Sequence, residues 1–184
     1  VDPFARADFF VAVEGEGGVD LEEGYLTFFS LPADLSLKLG KFKGSFGKFN
    51  GTHRPETAFA DRPLAPERYL GEEGLASTGG ALSWYVPNPW WLVNLDVQAL
   101  AMPEAEESPA FGTAGRNDLL YVGRVNGYHD ITEALNVTLG TSAALGKAGE
   151  MEDEETGART TPGNQLYGVD LTFRWKNPRR AIYG

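Results

Sequence analysis

The sequence predicts an all-β chain, an antiparallel transmembrane β-barrel with about eight strands visible, and three observations carry that reading. Run after run of its 184 residues alternates apolar and polar side chains with a period of two, which a strand produces and a helix cannot. The connections between the runs alternate in length, short on one side and long on the other. Acidic residues cluster in Glu14 to Glu23, Glu67 to Glu73, Glu104 to Glu107 and Glu150 to Glu155, while the apolar runs between are nearly free of them.

Taken in order, ARADFFVAVEG sets Ala7, Phe9, Val11 and Val13 against Arg6, Asp8, Phe10 and Ala12. After a turn at Gly15 to Gly18, VDLEEGYLTFFSLP sets Val19, Leu21, Glu23, Tyr25, Thr27 and Phe29 against Asp20, Glu22, Gly24, Leu26 and Phe28. Pro32 ends that strand, because it has no N–H for a ladder. LSLKLGKFKGSF follows, with Leu35, Leu37 and Leu39 on one face and Ser36, Lys38 and Gly40 on the other. A long segment, expected as an ordered loop over 47–78, leads to GGALSWYVP and the turn Pro87, Asn88, Pro89. WWLVNLDVQALAM is the clearest strand: Trp91, Val93, Leu95, Val97 and Ala99 oppose Asn94, Asp96 and Gln98. An acidic loop over 102–117 precedes DLLYVGRVNGYHD, where Leu119, Tyr121 and Val125 oppose Arg124 and Asn126. ALNVTLGTSAALG completes a hairpin with it, and NQLYGVDLTFRWKNP, beyond a polar loop over 146–164, sets Tyr167, Val169, Leu171, Phe173 and Trp175 against Asp170, Thr172 and Arg174.

The connections are short after strands two, four and six and long after three, five and seven, the first alone departing from the pattern. Short turns at one end and long loops at the other are a feature of outer-membrane barrels, although any antiparallel meander can share it. Trp84, Tyr85, Trp90 and Trp91 bracket one short turn, Tyr25 and Phe29 lie towards another, and Trp175 and Tyr183 stand near the end. Such rings suit a boundary between apolar and wet regions. In a sandwich they would pack a core instead.

The formal net charge of −10 excludes the basic stripe that a nucleic-acid partner needs. With no cysteine, neither a disulfide framework nor a thiolate metal site can form, and the redox compartment stays open. No apolar stretch is long enough for a membrane helix, a test that barrel strands escape. The chain begins within what reads as folded sequence, as a mature, trimmed or fragmentary product would. In a barrel, the residues lining the lumen would be Arg6, Asp8, Lys38, Asn94, Asp96, Gln98, Arg124, Asn126, Asp170 and Arg174. Facing carboxylates and guanidiniums there would select solutes by size and charge, or pair across a closed interior.

The long segment carries the most specific pattern. Phe46, Gly47, Asn50 and His53 are followed by Phe59, Asp61, Pro63 and Leu64, and then by Gly71, Glu73, Gly74, Leu75, Gly79, Ser83 and Trp84. In that order, flanked by VDPFARADFF, EEGYLTFFSLP and LYGVDLTFRW, they resemble a family of bacterial outer-membrane barrels described as porin-like or as zinc-regulated and TonB-dependent-receptor-like. The resemblance covers nearly the whole chain and implies passive or receptor-like uptake, with no N-terminal plug domain to make a full TonB-dependent receptor. Members of that family are longer, and RRAIYG reads as the start of a further strand, so the chain is either a fragment of a larger barrel or a compact one that closes with its own strands.

Other chemistry is weakly represented. His53, Glu56 and Asp61 are weak candidates for an N and O metal site, and the expectation is no metal and no cofactor. Asn50, His53, Asp61 and Glu73 read as anchors that fasten the long segment. His129 beside Asp130 reads as a turn residue, and the acidic run at Glu150 to Glu155 lacks the ligand spacing of a calcium loop. Ser83 has no nucleophile-elbow setting and the Gly-rich stretches lack a phosphate-loop Lys, so the chain is not expected to be an enzyme. The reading is a porin-like protein of the cell outer membrane that passes small solutes by diffusive or receptor-like means. Its partners would be outer-membrane lipid or detergent, with other chains of an envelope complex or the missing part of its own barrel. The alternatives are a structural or anchoring barrel without an open channel and a soluble all-β binding module.

Overall fold

The computed structural model describes residues 4–13, 18–51, 64–71, 74–103, 108–112, 118–149, 151–152, 157 and 159–176. Its strands are β1 (Ala5–Val13), β2 (Val19–Leu31), β3 (Leu35–Lys43), β4 (Ala76–Val86), β5 (Leu92–Ala101), β6 (Leu119–Thr132), β7 (Leu135–Lys147), the two-residue β8 (Met151–Glu152) and β9 (Arg159–Thr160), and β10 (Gly163–Trp175). One helix, α1 (Leu64–Leu70), stands between β3 and β4. Eight strands make one antiparallel sheet in the order β1-β2-β3-β4-β5-β6-β7-β10, while β8 and β9 pair only with each other.

The sheet is a meander in which neighbours in sequence are neighbours in space. Alternation places Leu26, Leu39, Gly80, Ala99, Tyr121, Leu145 and Gln165 in one row across it, through the registers of successive strand pairs. That outer face carries large apolar side chains from edge to edge, with Val169 76% and Trp175 69% exposed. An apolar surface that wide marks an interaction surface rather than ordinary solvent-facing sheet. The inner face carries Arg124, Ser142 and Gly168 in one row and Asn94, Asn126, Gly140 and Asp170 in the next.

Closure is what the sequence reading had wrong. Among the described residues β1 and β10 are the two edges of the sheet, and neither pairs with the other. A half-buried strand of any antiparallel sheet has the same period of two as a barrel strand, and hairpins of a meander give the same alternation of loop lengths. Only the pairing of the first strand with the last distinguishes the two. In hydrocarbon every backbone polar group must be satisfied within the protein, which a closed barrel achieves and a sheet with two free edges does not. The transmembrane barrel, the outer-membrane location and the lipid or detergent partner, together with a missing remainder of a barrel, are therefore corrected to an open antiparallel sheet. No described helix is long and apolar enough to cross a membrane.

A smaller correction concerns β2. Phe10 pairs with Glu23 but Val11 pairs with Leu21, so Glu22 is an extra residue, a β-bulge. The bulge turns Leu21 onto the same face as Gly24, where an added Cβ would meet Leu21 and Phe9. The alternation in β2 thus changes phase at Glu22 and does not run unbroken.

The buried core lies on the inner face, towards the end of the long connections. Phe42, Leu100, Leu120, Val122 and Ala144 rise from the sheet, and Phe46, Leu70, Leu75, Met102, Ala110 and Phe111 cover them. Each fully buried Leu or Phe contributes about 1.5–3 kcal/mol relative to exposure. The covering loops are tied by backbone bonds from Ala110 N–H to the Tyr69 carbonyl and from Gly112 N–H to the Lys147 carbonyl, and by Asn164 Nδ2 donating to the Ala110 carbonyl. The core therefore fills one end of the inner face and leaves the other end polar.

Candidate functional site

A strap formed by residues 44–51 leaves the end of β3 and crosses the inner face. Ser45 N–H donates to Gln98 Oε1 on β5, and Gln98 Nε2 donates back to Ser45 Oγ. Gly47 N–H donates to Ser142 Oγ on β7, and Lys48 Nζ donates to Thr172 Oγ1 on β10. Phe46 lies over Gly168, whose missing side chain leaves the room: an added Cβ would sit 3.2 Å from the ring. At the root of the strap Asn50 is 1% exposed, donating to the Gly44 and Leu75 carbonyls and accepting from Leu75 N–H. These partners lie on residues far apart in sequence, so the strap is held by the folded sheet rather than by local propensity.

Beyond the strap the polar end of the inner face opens into a cleft of about 290 Å³. Gly47 and Lys48 form one side, and the floor is Arg124, Asn126 and Tyr128 on β6, Asn136 and Thr138 on β7, and Asp170, Thr172 and Arg174 on β10. Arg124 is 8% exposed and makes a bidentate pair with Asp170, Nη1 to Oδ2 at 2.7 Å and Nη2 to Oδ1 at 2.9 Å. Its Nη1 also donates to Ser142 Oγ, the atom that accepts from the strap at Gly47. The pair spans an intervening strand because Gly140 lies between them in register and has no side chain. A Cβ there would fall 2.6 and 2.8 Å from the Asp170 oxygens and closer still to Arg124 Nη2.

At the rim Tyr128 donates to Asp130 Oδ1 at 2.5 Å, which holds the phenol above its ordinary value. Arg174 stands opposite Asn136 in register and is exposed. Among the described residues no carboxylate is paired with Arg174 or with Lys48. Counted as formal charges, the cleft lining holds three cations and one carboxylate, in a chain of net charge −10. The fork of Arg124 is occupied by Asp170, which leaves Lys48 and Arg174 as the cations that face an incoming molecule.

The ten residues expected to line a lumen share the inner face, by the register of their strands, but that face belongs to an open sheet and encloses no lumen. Arg124, Asn126, Asp170 and Arg174 come together in the cleft. Asn94 donates to Asp96 Oδ2 at 2.6 Å, Ser83 Oγ donates to Asp96 Oδ1, and Gln98 is taken up by the strap. Arg6 pairs with Asp8 at 2.7 Å on the far wing. Lys38 lies 4.3 Å from the Tyr25 ring centre and 5.3 Å from that of Phe42, and burial draws its ammonium below the ordinary lysine value, against the raising pull of Glu23, Asp96 and Asp8. Asn50 is described above; His53, Glu56, Asp61 and Glu73 lie outside the described residues. Among the described residues no three of His, Cys, Asp and Glu gather into a metal-binding group. His129 Nδ1–H donates to the Trp90 carbonyl at 2.7 Å, and the ring stacks on Trp91 with ring centres 5.1 Å apart.

Sequence reasoning did not single out Lys48, Tyr128, Asn136, Thr138 and Thr172 of the lining, nor Ser142 and Gly140 beneath it. Ser142 and Gly140 share the polar face of β7 with Asn136 and Thr138, so the register with β6 would have brought them beside Arg124. Nothing in the sequence marks Lys48, which reaches Thr172 only because the strap folds back.

No family model matches the chain, and no solved structure matches it. The resemblance to porin-like and TonB-dependent-receptor-like barrels therefore gains no support from them, and the open sheet contradicts it. A protein of Aquifex aeolicus (strain VF5) bearing the name "Uncharacterized protein" is 33% identical over 190 residues, which cover 95% of this chain and 39% of that protein. The chain thus spans about two fifths of the length of the curated relative it matches.

Proposed function

We propose that the chain is an all-β binding module that holds a small polar anion in the cleft beside the strap, without making or breaking bonds in it. The porin-like role expected from the sequence is set aside, since solute passage needs a closed wall and the described sheet has two free edges. The observation that carries the proposal is the pair of cations without carboxylate partners among the described residues, Lys48 and Arg174, that line one concave site in an otherwise acidic chain. Around them Asn126, Asn136, Thr138 and Tyr128 supply hydroxyl and amide groups that donate and accept hydrogen bonds. The fixed Arg124–Asp170 pair keeps the floor rigid and nearly neutral, so no reorganisation is needed to admit a ligand.

An amide NMR titration with acetate, inorganic phosphate and glycerol tests this. The expected result is saturable shifts at Gly47, Lys48, Thr138, Thr172 and Arg174 with the two anions and none with glycerol. Shifts scattered over the sheet, or equal responses to the neutral solute, would refute it.

A further inference from the structure

We infer that the ligand of this cleft is a dianion with two separated charged groups, short-chain dicarboxylates being the simplest class; this rests on the anion-binding reading above. Three cations line the cleft, but they are not equivalent. Arg124 is buried and its fork is filled by Asp170 at 2.7 and 2.9 Å, so it offers an incoming anion little. Lys48 meets a neutral hydroxyl, Thr172 Oγ1 at 2.9 Å, and the face of the Phe49 ring at 5.6 Å from its centre, and Arg174 is exposed; neither has a carboxylate paired to it among the described residues.

Their spacing follows from the strand that carries one and tethers the other. Thr172 and Arg174 are alternate residues of β10 on one face, which places their Cα atoms roughly 7 Å apart. Lys48 is held at the first of these positions and Arg174 occupies the second. A single carboxylate placed at either cation leaves the other without a counter-charge. Two carboxylates joined by two or three methylene or hydroxymethylene groups answer both at once, and the amides of Asn126 and Asn136 and the hydroxyl of Thr138 stand along the floor between the walls. Arg174 suits a forked contact and Lys48 a point contact, so the two ends of the ligand are held differently.

The test compares succinate with succinamate, which has nearly the same shape and one charge fewer, by calorimetric titration of the full chain at low ionic strength. Succinate is expected to bind about tenfold more tightly, the effect of one additional charge-assisted hydrogen-bonded contact at a partly exposed site. Lys48→Gln and Arg174→Gln should each reduce succinate to the succinamate level. Both side chains are exposed, and unchanged tryptophan emission and unfolding midpoint establish that the variants are folded. Equal affinity for the two ligands, tighter binding of succinamate, or insensitivity of succinate to both substitutions would overturn the dianion inference while leaving the anion-binding cleft standing. Failure of both ligands, together with acetate and phosphate, would overturn the two proposals together.

Discussion

Replacing Gly140 with Ala is expected to destabilise the protein, although alanine ordinarily improves a strand. The added Cβ would fall 2.6 and 2.8 Å from the carboxylate oxygens of Asp170 and closer to Arg124 Nη2. The atoms in its way are ends of side chains, so the ladder can stay intact while the ion pair opens. Opening it removes two charge-assisted hydrogen bonds at a site where Arg124 is 8% exposed. Hydrogen bonds of that kind contribute about 1.5–3 kcal/mol each in net terms, and replacing glycine returns about 0.4–1 kcal/mol by restricting the unfolded chain. The net expectation is a loss of about 2 kcal/mol, since part of the pair can re-form through water. Gly123→Ala is the control: it lies on the outer face of β6, where an added Cβ meets nothing within 4 Å, and should be neutral or slightly stabilising. Urea unfolding followed by tryptophan fluorescence reads both, and an Asp170→Asn background completes a double-mutant cycle. If Gly140→Ala and Gly123→Ala shift the midpoint alike, or if Gly140→Ala costs the same with Asp170 replaced, the bridging argument is refuted.

Three further outcomes follow from the same structure. Asn50→Ala removes three buried hydrogen bonds and leaves Leu75 N–H without its acceptor, while the Leu75 and Gly44 carbonyls keep the backbone N–H groups of Gly44 and Phe46; it should cost about 2 kcal/mol in urea unfolding, whereas a change under about 0.5 kcal/mol would show that the strap root is not held there. Phe46→Ala, which empties the space above Gly168, should raise amide hydrogen exchange at Ser45 and Gly47 at least about tenfold and leave β6 amides unchanged, because it releases a local segment. Lys38 titrates below the ordinary value of 10.5 in the fold, so the folded state gives up that proton before the unfolded chain does and gains stability as pH rises through the interval up to 10.5. Lys38→Met should abolish that gain, read as the change in unfolding midpoint between about pH 8 and about pH 10, and an identical slope in the variant would contradict the assignment.

Much of the sheet was legible in the sequence because alternation is a local property. The outer face with Leu39, Ala99 and Tyr121 and the inner face with Arg124 and Asp170 could both be read by counting in twos. Closure could not, since it depends on whether β1 meets β10, and nothing local to either strand reports it. Glu22 shows a second limit: a bulge is one extra residue in a strand, and VDLEEGYL has no glycine or proline at Glu22 to announce it. The strap shows a third, because its bonds to Gln98, Ser142 and Thr172 join residues 53, 95 and 124 positions apart. The family resemblance drew on short motifs in the right order, and the porin-like role drawn from it depended on closure, which short motifs do not encode.

Among the described residues the eight strands form one open sheet, and its inner face carries the cleft proposed to hold an anion. Amide hydrogen exchange of the full chain tests it most directly. In an open antiparallel sheet, alternate N–H groups along β1 and β10 point away from their one partner strand and exchange freely, while β4 to β7 are protected on both sides. An open sheet gives that alternating pattern at both edges. Uniform protection of every amide along both β1 and β10, at the level of β6, would show that the edges are paired and would contradict it.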